Sequence, residues 1–155
     1  YNFDVIDGVT YQIDVTEPAR YDGDCVKISD GQRIVNLAFQ GGAVGDDDEF
    51  LVATNNYRAG GGKFAGTGGE HVVIESPDEN RTVLADYIRD NSPVTPTADG
   101  NWSFAPINSA TDLRVVFRVP NTDRAKNFVA AKAPEASFLE VNGNNEAVYE
   151  LNLQP

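Results

Sequence analysis

Six of the chain's 14 glycines lie between Gly60 and Gly69, and this cluster constrains the fold more than any other feature of the sequence. Glycine adopts backbone conformations that other residues avoid, and it loses the most conformational freedom when a chain folds. A segment so rich in glycine destabilises both helices and strands, so we predict a loop here. The loop follows the strand-like run 50–54, which places Tyr57 close to its start.

An aromatic ring beside a glycine-rich loop suits a flat ligand with polar edges. Nucleobases stack on aromatic side chains, and glycine lets a ligand approach the backbone N–H groups closely. Tyr57 is therefore a candidate for stacking on a nucleobase. The alternative is a surface loop that only connects two elements, with Tyr57 packed into the core.

Four segments of the chain resemble the C-terminal domain of bacterial 5′-nucleotidase-type metallophosphoesterases: 1–9, 13–16, 52–64 and 76–84. Within that superfamily they are most similar to the periplasmic 2′,3′-cyclic-nucleotide 2′-phosphodiesterase/3′-nucleotidases. The resemblance is good over residues 1–118 and looser beyond them. Several motifs in the same order are more specific than any one of them alone.

The resemblance implies a set of substrate-binding residues in the glycine-rich segment. Tyr57 matches the second of two aromatic residues that sandwich the base in this family, and the first lies before the start of this chain. The other residues of the set line the same loop: Asn56, Arg58, Gly60, Gly61, Gly62, Lys63 and Phe64. Lys63 stands where many 5′-nucleotidases carry an aspartate, so the base-edge hydrogen bond of those relatives does not transfer to this chain.

The catalytic residues of the family are not predicted to lie in this chain. Its enzymes hold a pair of divalent metal ions in a larger N-terminal metallophosphoesterase domain. Such a site needs several converging ligands, whereas this chain has one histidine, His71, and one cysteine, Cys25. We therefore predict no catalytic residue, no metal ligand and no bound cofactor here. The chain begins at Tyr1 rather than methionine, which suggests a piece of a longer protein.

The charge balance is strongly acidic, with 24 Asp and Glu against 12 Lys and Arg and a net charge of −12. Such a charge disfavours duplex nucleic acid and anionic membranes as partners, because both are negative. A nucleotide or nucleoside remains compatible. The acidity reflects either ordinary solubility or adaptation to a saline environment, where salt screens self-repulsion. The resemblance implies a periplasmic or secreted protein.

The predicted function is that of a nucleotide-specificity domain in a metal-dependent hydrolase of 2′,3′-cyclic nucleotides and 3′-nucleotides. Its expected partners are the nucleotide substrate and the N-terminal metallophosphoesterase domain. The chain alone is not expected to be catalytic. The alternative is a non-catalytic binding or interaction module with the same fold.

The pattern of apolar residues predicts a single α+β domain over 1–155 with a mixed or antiparallel sheet, and the resemblance implies a four-layer α/β/β/α arrangement. The Asp7-Gly8 pair predicts a hairpin between strands at 3–6 and 9–15. The predicted helices begin near Ser76, burying Val83, Leu84, Tyr87 and Ile88, and near Asn121 or Thr122, carrying Ala125, Phe128 and Val129. The other predicted strands are 33–39, 50–54, 71–74, 102–104, 113–119, 137–141 and 147–151.

Overall fold

A computed structural model of the chain describes residues 4–60, 67–107 and 113–154. They form seven strands, three α-helices and a 3-10 turn. The strands are β1 (Thr10–Ile13), β2 (Ile34–Phe39), β3 (Gly42–Ala43), β4 (Trp102–Phe104), β5 (Val115–Pro120), β6 (Ala136–Val141) and β7 (Glu146–Leu151). The helices are α1 (Asn56–Gly60), α2 (Asn80–Asn91) and α3 (Asp123–Lys132), and the 3-10 turn is Gly69–His71.

The first sheet has four strands in the order β3-β2-β1-β4. β1 pairs antiparallel with β2 and parallel with β4, where Tyr11 lies opposite Trp102. β2 and β3 form a hairpin with Gln40 and Gly41 both at positive φ, 49° and 83°. Two consecutive residues of positive φ suit the right-handed twist of a tight hairpin. This sheet is mixed, which is one of the two alternatives that the sequence predicts.

The second sheet is antiparallel throughout, with the order β5-β7-β6. Asn142 organises the connection between β6 and β7: its Oδ1 accepts from the backbone N–H of Asn144 and of Glu146, each at 3.0 Å. Asn145, rather than Gly143, takes the left-handed conformation, with φ of 57°. Asparagine tolerates that conformation better than most residues. The turn after β6 therefore extends from Asn142 to Asn145.

A core cluster lies where α3 meets the second sheet. Val129 of α3 is buried with Ala147 and Tyr149 of β7. The Tyr149 ring stacks on Phe117 with 5.5 Å between centroids and meets Phe138 edge-on at 5.6 Å. Such aromatic pairs add stabilisation beyond the area that they bury.

The predicted α+β class is confirmed, with two sheets and few helices. The second predicted helix is confirmed as α3, where Thr122 is the N-cap and its side chain accepts from the Ala125 N–H at 3.3 Å. The strand predictions at 33–39, 102–104, 113–119, 137–141 and 147–151 are also confirmed within one or two residues at their ends. Of the apolar residues that this helix carries, Val129 is buried and Phe128 is 64% exposed.

The predicted first hairpin is wrong over the described residues, because 4–6 do not form a strand. Side chains instead bind the backbone of Ile6: its N–H donates to the Tyr11 hydroxyl at 3.3 Å, and its carbonyl accepts from Asn101 Nδ2 at 2.7 Å. A turn does occur at Gly8, whose φ is 88°. Side-chain bonds to the backbone compete in this way with strand pairing.

Two further strand predictions are wrong. Residues 50–54 and 72–74 lie outside every strand, and His71 ends the 3-10 turn. Phe50 packs edge-on against Phe39, with 5.2 Å between ring centroids, so its side chain meets the first sheet while its backbone does not join it. Apolar composition alone does not distinguish a segment that packs its side chains on a sheet from one that joins the sheet as a strand.

Helix α2 begins at Asn80, four residues after Ser76, near which the sequence predicts its start. The Ser76 hydroxyl donates to the Asp78 carboxylate at 2.7 Å, and the N-cap Glu79 makes no side-chain capping bond. Ser76 therefore does not cap α2. The apolar residues expected to be buried on this helix are all exposed: Val83, Leu84, Tyr87 and Ile88. Within the described chain, no helix has the length and apolar character needed to cross a membrane.

Candidate functional site

Helix α1 carries the residues that the sequence singles out for ligand binding. Asn55 begins it: its side-chain Oδ1 accepts from the Arg58 N–H at 2.9 Å, and its carbonyl accepts from Ala59 N–H at 3.0 Å. Asparagine is among the preferred residues for this capping role. The short helix was not predicted, since the sequence suggested that the loop begins at this point.

Tyr57 lies on the surface, with 64% of its area exposed. This exposure removes the alternative in which the ring packs into the core. The face of an exposed tyrosine offers a stacking surface at low cost in conformational entropy, because the side chain has few rotatable bonds. Asn56 and Gly60 of the same helix are exposed as well.

Arg58 contacts Asp4 and the ring of Tyr57. Its Nη2 donates to Asp4 Oδ1 at 2.6 Å, and its Cζ lies over the Tyr57 ring, 5.4 Å from the centroid. A guanidinium within about 6 Å of an aromatic face is attracted by the ring electrons. The Arg58 side chain is only 23% exposed, so its charge is partly shielded from water.

The two described ends of the glycine-rich segment meet. The Gly68 N–H donates to the carbonyl of Ala59 at 3.0 Å, and α1 contacts the 3-10 turn that follows. Gly68 has φ of 149°, a conformation that residues with a Cβ rarely adopt. The remaining predicted site residues, Gly61, Gly62, Lys63 and Phe64, lie outside the described residues.

The described residues of the candidate site lie on α1, and two cavities lie elsewhere in the described chain. One cavity of about 310 Å³ lies beside the second sheet, between Ile107, Leu113 and residues 150–154. Another of about 280 Å³ lies between Phe39, Phe50 and residues 42–44. Neither is lined by a residue of α1. A base stacked on Tyr57 would thus have one ring face as its support from this helix.

No metal-binding cluster is found among the described residues, in the sense of three or more His, Cys, Asp or Glu placed to share an ion. The distance from His71 Nε2 to Glu70 Oε1 is 3.7 Å, and both side chains are mostly exposed. Cys25 has no disulfide partner. These residues do not fit the metal pair that the family resemblance implies for a whole enzyme, so we derive no catalytic step from them.

The carboxylate of Asp14, just after β1, is stabilised by hydrogen bonds from Thr16. The Thr16 hydroxyl and the Thr16 N–H donate to Asp14 Oδ1 at 2.6 and 2.9 Å. These two bonds stabilise the charged form and hold the pKa of the Asp14 carboxyl below its ordinary value. Asp14 is outside the α1 segment and plays no part in the proposed site.

Two residues of the site region were missed by the sequence analysis. Asn55 carried a usable signal, because its residue type favours the start of a helix. Asp4 carried none, since it contacts a residue 54 positions further along the chain. Long-range pairs of this kind cannot be found from one sequence alone.

Comparison with known proteins defines the class. The family model for the 5′-nucleotidase C-terminal domain matches residues 1–67. This match confirms the resemblance inferred from the sequence, and three of the four segments, 1–9, 13–16 and 52–64, lie within the matched residues. No solved structure gives a significant match to the chain.

The relatives are more specific. The chain is 49% identical over 161 residues to the 2′,3′-cyclic-nucleotide 2′-phosphodiesterase/3′-nucleotidase of Haemophilus influenzae, covering 99% of this chain and 24% of the relative. The enzyme of the same name from Salmonella typhimurium is 50% identical, with 99% and 25% covered. The trifunctional nucleotide phosphoesterase protein YfkN of Bacillus subtilis is 46% identical over 154 residues, with 97% and 10% covered. The chain thus spans a quarter or less of the length of these relatives.

Proposed function

We propose that this chain is the nucleobase-binding specificity domain of a hydrolase acting on 2′,3′-cyclic nucleotides and 3′-nucleotides. The observation that carries the proposal is the exposed ring of Tyr57, which stands at the start of the glycine-rich segment in a chain similar to enzymes of that name. A base stacked on one aromatic ring gains about 1–3 kcal/mol. That energy is enough to favour a substrate with a base over one without.

The proposal assigns base binding to this chain and phosphoester hydrolysis to another part of the protein. Tyr57 supplies the stacking face, and Asn56, Arg58 and Gly60 lie on the same short helix. Gly61, Gly62, Lys63 and Phe64 follow them in sequence and complete the predicted base-binding set. Phosphoester hydrolysis, and the divalent metal pair that the resemblance implies, belong to an N-terminal metallophosphoesterase domain outside this chain. A periplasmic or secreted location is part of the same proposal.

The test compares two substrates in the full-length protein. Tyr57→Ala removes the stacking face and should lower kcat/KM for 2′,3′-cyclic AMP by about ten- to a hundred-fold. Tyr57→Phe keeps the face and should change KM by less than about three-fold. Bis(4-nitrophenyl) phosphate has no base, so its hydrolysis should be nearly unchanged by either substitution.

A matched control uses another exposed tyrosine. Tyr87 on α2 has a similar exposed area, and Tyr87→Ala should leave both activities unaltered. If Tyr57→Ala reduces the hydrolysis of both substrates in parallel, the ring serves folding. If it reduces neither, the chain is a non-catalytic module with this fold, and the base-binding proposal is wrong.

A further inference from the structure

The Arg58 guanidinium contacts both the carboxylate of Asp4 and the ring of Tyr57. The distance is 2.6 Å from Nη2 to Asp4 Oδ1 and 5.4 Å from Cζ to the ring centroid. Arginine has a flexible side chain, and holding it in one orientation costs conformational entropy. The ion pair with Asp4 offsets that cost. The ring therefore has a fixed cation beside one of its faces.

Asp4 is itself held in place by the first sheet. Two residues further along the chain, Ile6 is bonded through its N–H to the Tyr11 hydroxyl and through its carbonyl to Asn101 Nδ2. Asn101 Nδ2 also donates to the carbonyl of Val9, at 3.1 Å. Tyr11 belongs to β1 and is buried. The segment 4–9 thus runs from the sheet to the guanidinium of Arg58.

Helix α1 needs such an anchor. It has five residues, and helices this short are not stable in water without tertiary contacts. Within the described chain, α1 makes a small contact with the 3-10 turn Gly69–His71, which is also short and exposed. The ion pair with Asp4 connects the helix to a segment fixed on a sheet.

We propose that Asp4 is a positioning residue for base binding: it holds the Arg58 guanidinium against one face of Tyr57 and leaves the opposite face for the base. The inference rests on the proposed function, because it presupposes that Tyr57 stacks on the substrate. It gives Arg58 a role behind the ring and adds a residue from a distant part of the sequence to the site. Asp4 itself touches neither the base nor the reacting phosphate.

The experiment measures KM and kcat of the full-length protein for 2′,3′-cyclic AMP and for bis(4-nitrophenyl) phosphate. Partly exposed ion pairs contribute up to about 1 kcal/mol, so Asp4→Ala should raise KM for the cyclic nucleotide by about two- to five-fold. It should leave kcat, and hydrolysis of the substrate without a base, unaltered. Asp4→Glu keeps the charge and should restore most of the lost affinity.

Two further variants separate positioning from other effects. Asp7→Ala removes one charge from the same segment, where the carboxylate accepts from the Gly8 N–H, and should leave KM unchanged. In a Tyr57→Ala background, Asp4→Ala should have no additional effect, because the ring that it positions is gone. A further loss in that background would overturn the inference.

The outcomes also distinguish this inference from the proposed function. If Tyr57→Ala raises KM for the cyclic nucleotide and Asp4→Ala does not, base stacking stands and the role of Asp4 is refuted. If Asp4→Ala lowers turnover of both substrates in parallel, Asp4 stabilises the fold and does not position the ring. If Tyr57→Ala has no effect on KM, the proposed function fails, and the inference about Asp4 fails with it.

Discussion

Helix α3 offers a quantitative test of the core, because two adjacent apolar residues differ sharply in burial. Val129 is 5% exposed and packs against β7, whereas Phe128 is 64% exposed. Val129→Ala removes two buried carbon atoms, worth about 1.6 kcal/mol of transfer free energy. An unfilled cavity of about 40 Å³ would add about 1 kcal/mol, and the higher helix propensity of alanine would return about 0.5 kcal/mol. The net loss in the free energy of unfolding should be about 2 kcal/mol.

Phe128→Ala is the matched substitution one position earlier. Only about a third of that ring is shielded, so the loss of burial should be about 0.5–1 kcal/mol, and alanine's helix propensity offsets about half of it or more. Urea unfolding of the 155-residue chain, followed by circular dichroism, measures both variants against the unsubstituted chain. An equal slope m in all three would show that the unfolded states are comparable. If Phe128→Ala lowers the free energy of unfolding as much as Val129→Ala does, a different side of α3 packs on the sheet, and the described core is wrong.

Three other predictions concern charge and chemistry. If the net charge of −12 reflects saline adaptation, the melting temperature of the chain should rise between about 0.05 and 2 M NaCl, a range in which the Debye length falls to a few Å; a flat profile would indicate ordinary solubility. Thr16→Val should raise the pKa of Asp14 in an NMR titration, whereas Thr16→Ser should leave it low. Because the folded-state pKa is lowered, this bond stabilises the fold above the unfolded-state pKa of Asp14, and its contribution disappears as the pH falls through the folded-state value. The purified 155-residue chain should not hydrolyse 2′,3′-cyclic AMP with Mn²⁺ or Co²⁺, and metal-dependent turnover that survives purification would contradict the proposal.

The second half of the fold was predictable because its signals are local. Thr122 caps α3 where the sequence places it, and Pro134 follows the end of that helix. β6 and β7 are adjacent in sequence and joined at Asn142, so their pairing needs no distant information. In such segments, propensity, turn residues and apolar pattern agree with one another.

The first half of the fold was harder to predict from the sequence, because contacts between distant side chains determine its structure. Asn101 and Tyr11 take the backbone bonds of Ile6 that a hairpin would have used. Ser76 fits a helix cap, yet its hydroxyl binds Asp78 and the helix begins later. For the candidate site, the residue type and position of Tyr57 were visible in the sequence, while the contact between Asp4 and Arg58 was not. Sequence therefore indicated which ring to consider but not how it is held.

The order of strands in the second sheet has a consequence for biosynthesis. β7 lies between β5 and β6, although it is the last of the three to be translated. Until Leu151 has emerged from the ribosome or from an export channel, β5 and β6 each lack β7 as a partner and expose unpaired backbone groups that invite association with other chains. The sheet closes in one late step, when Ala147 and Tyr149 arrive beneath α3. A nascent chain halted before β7 is thus the species for which chaperone binding matters most.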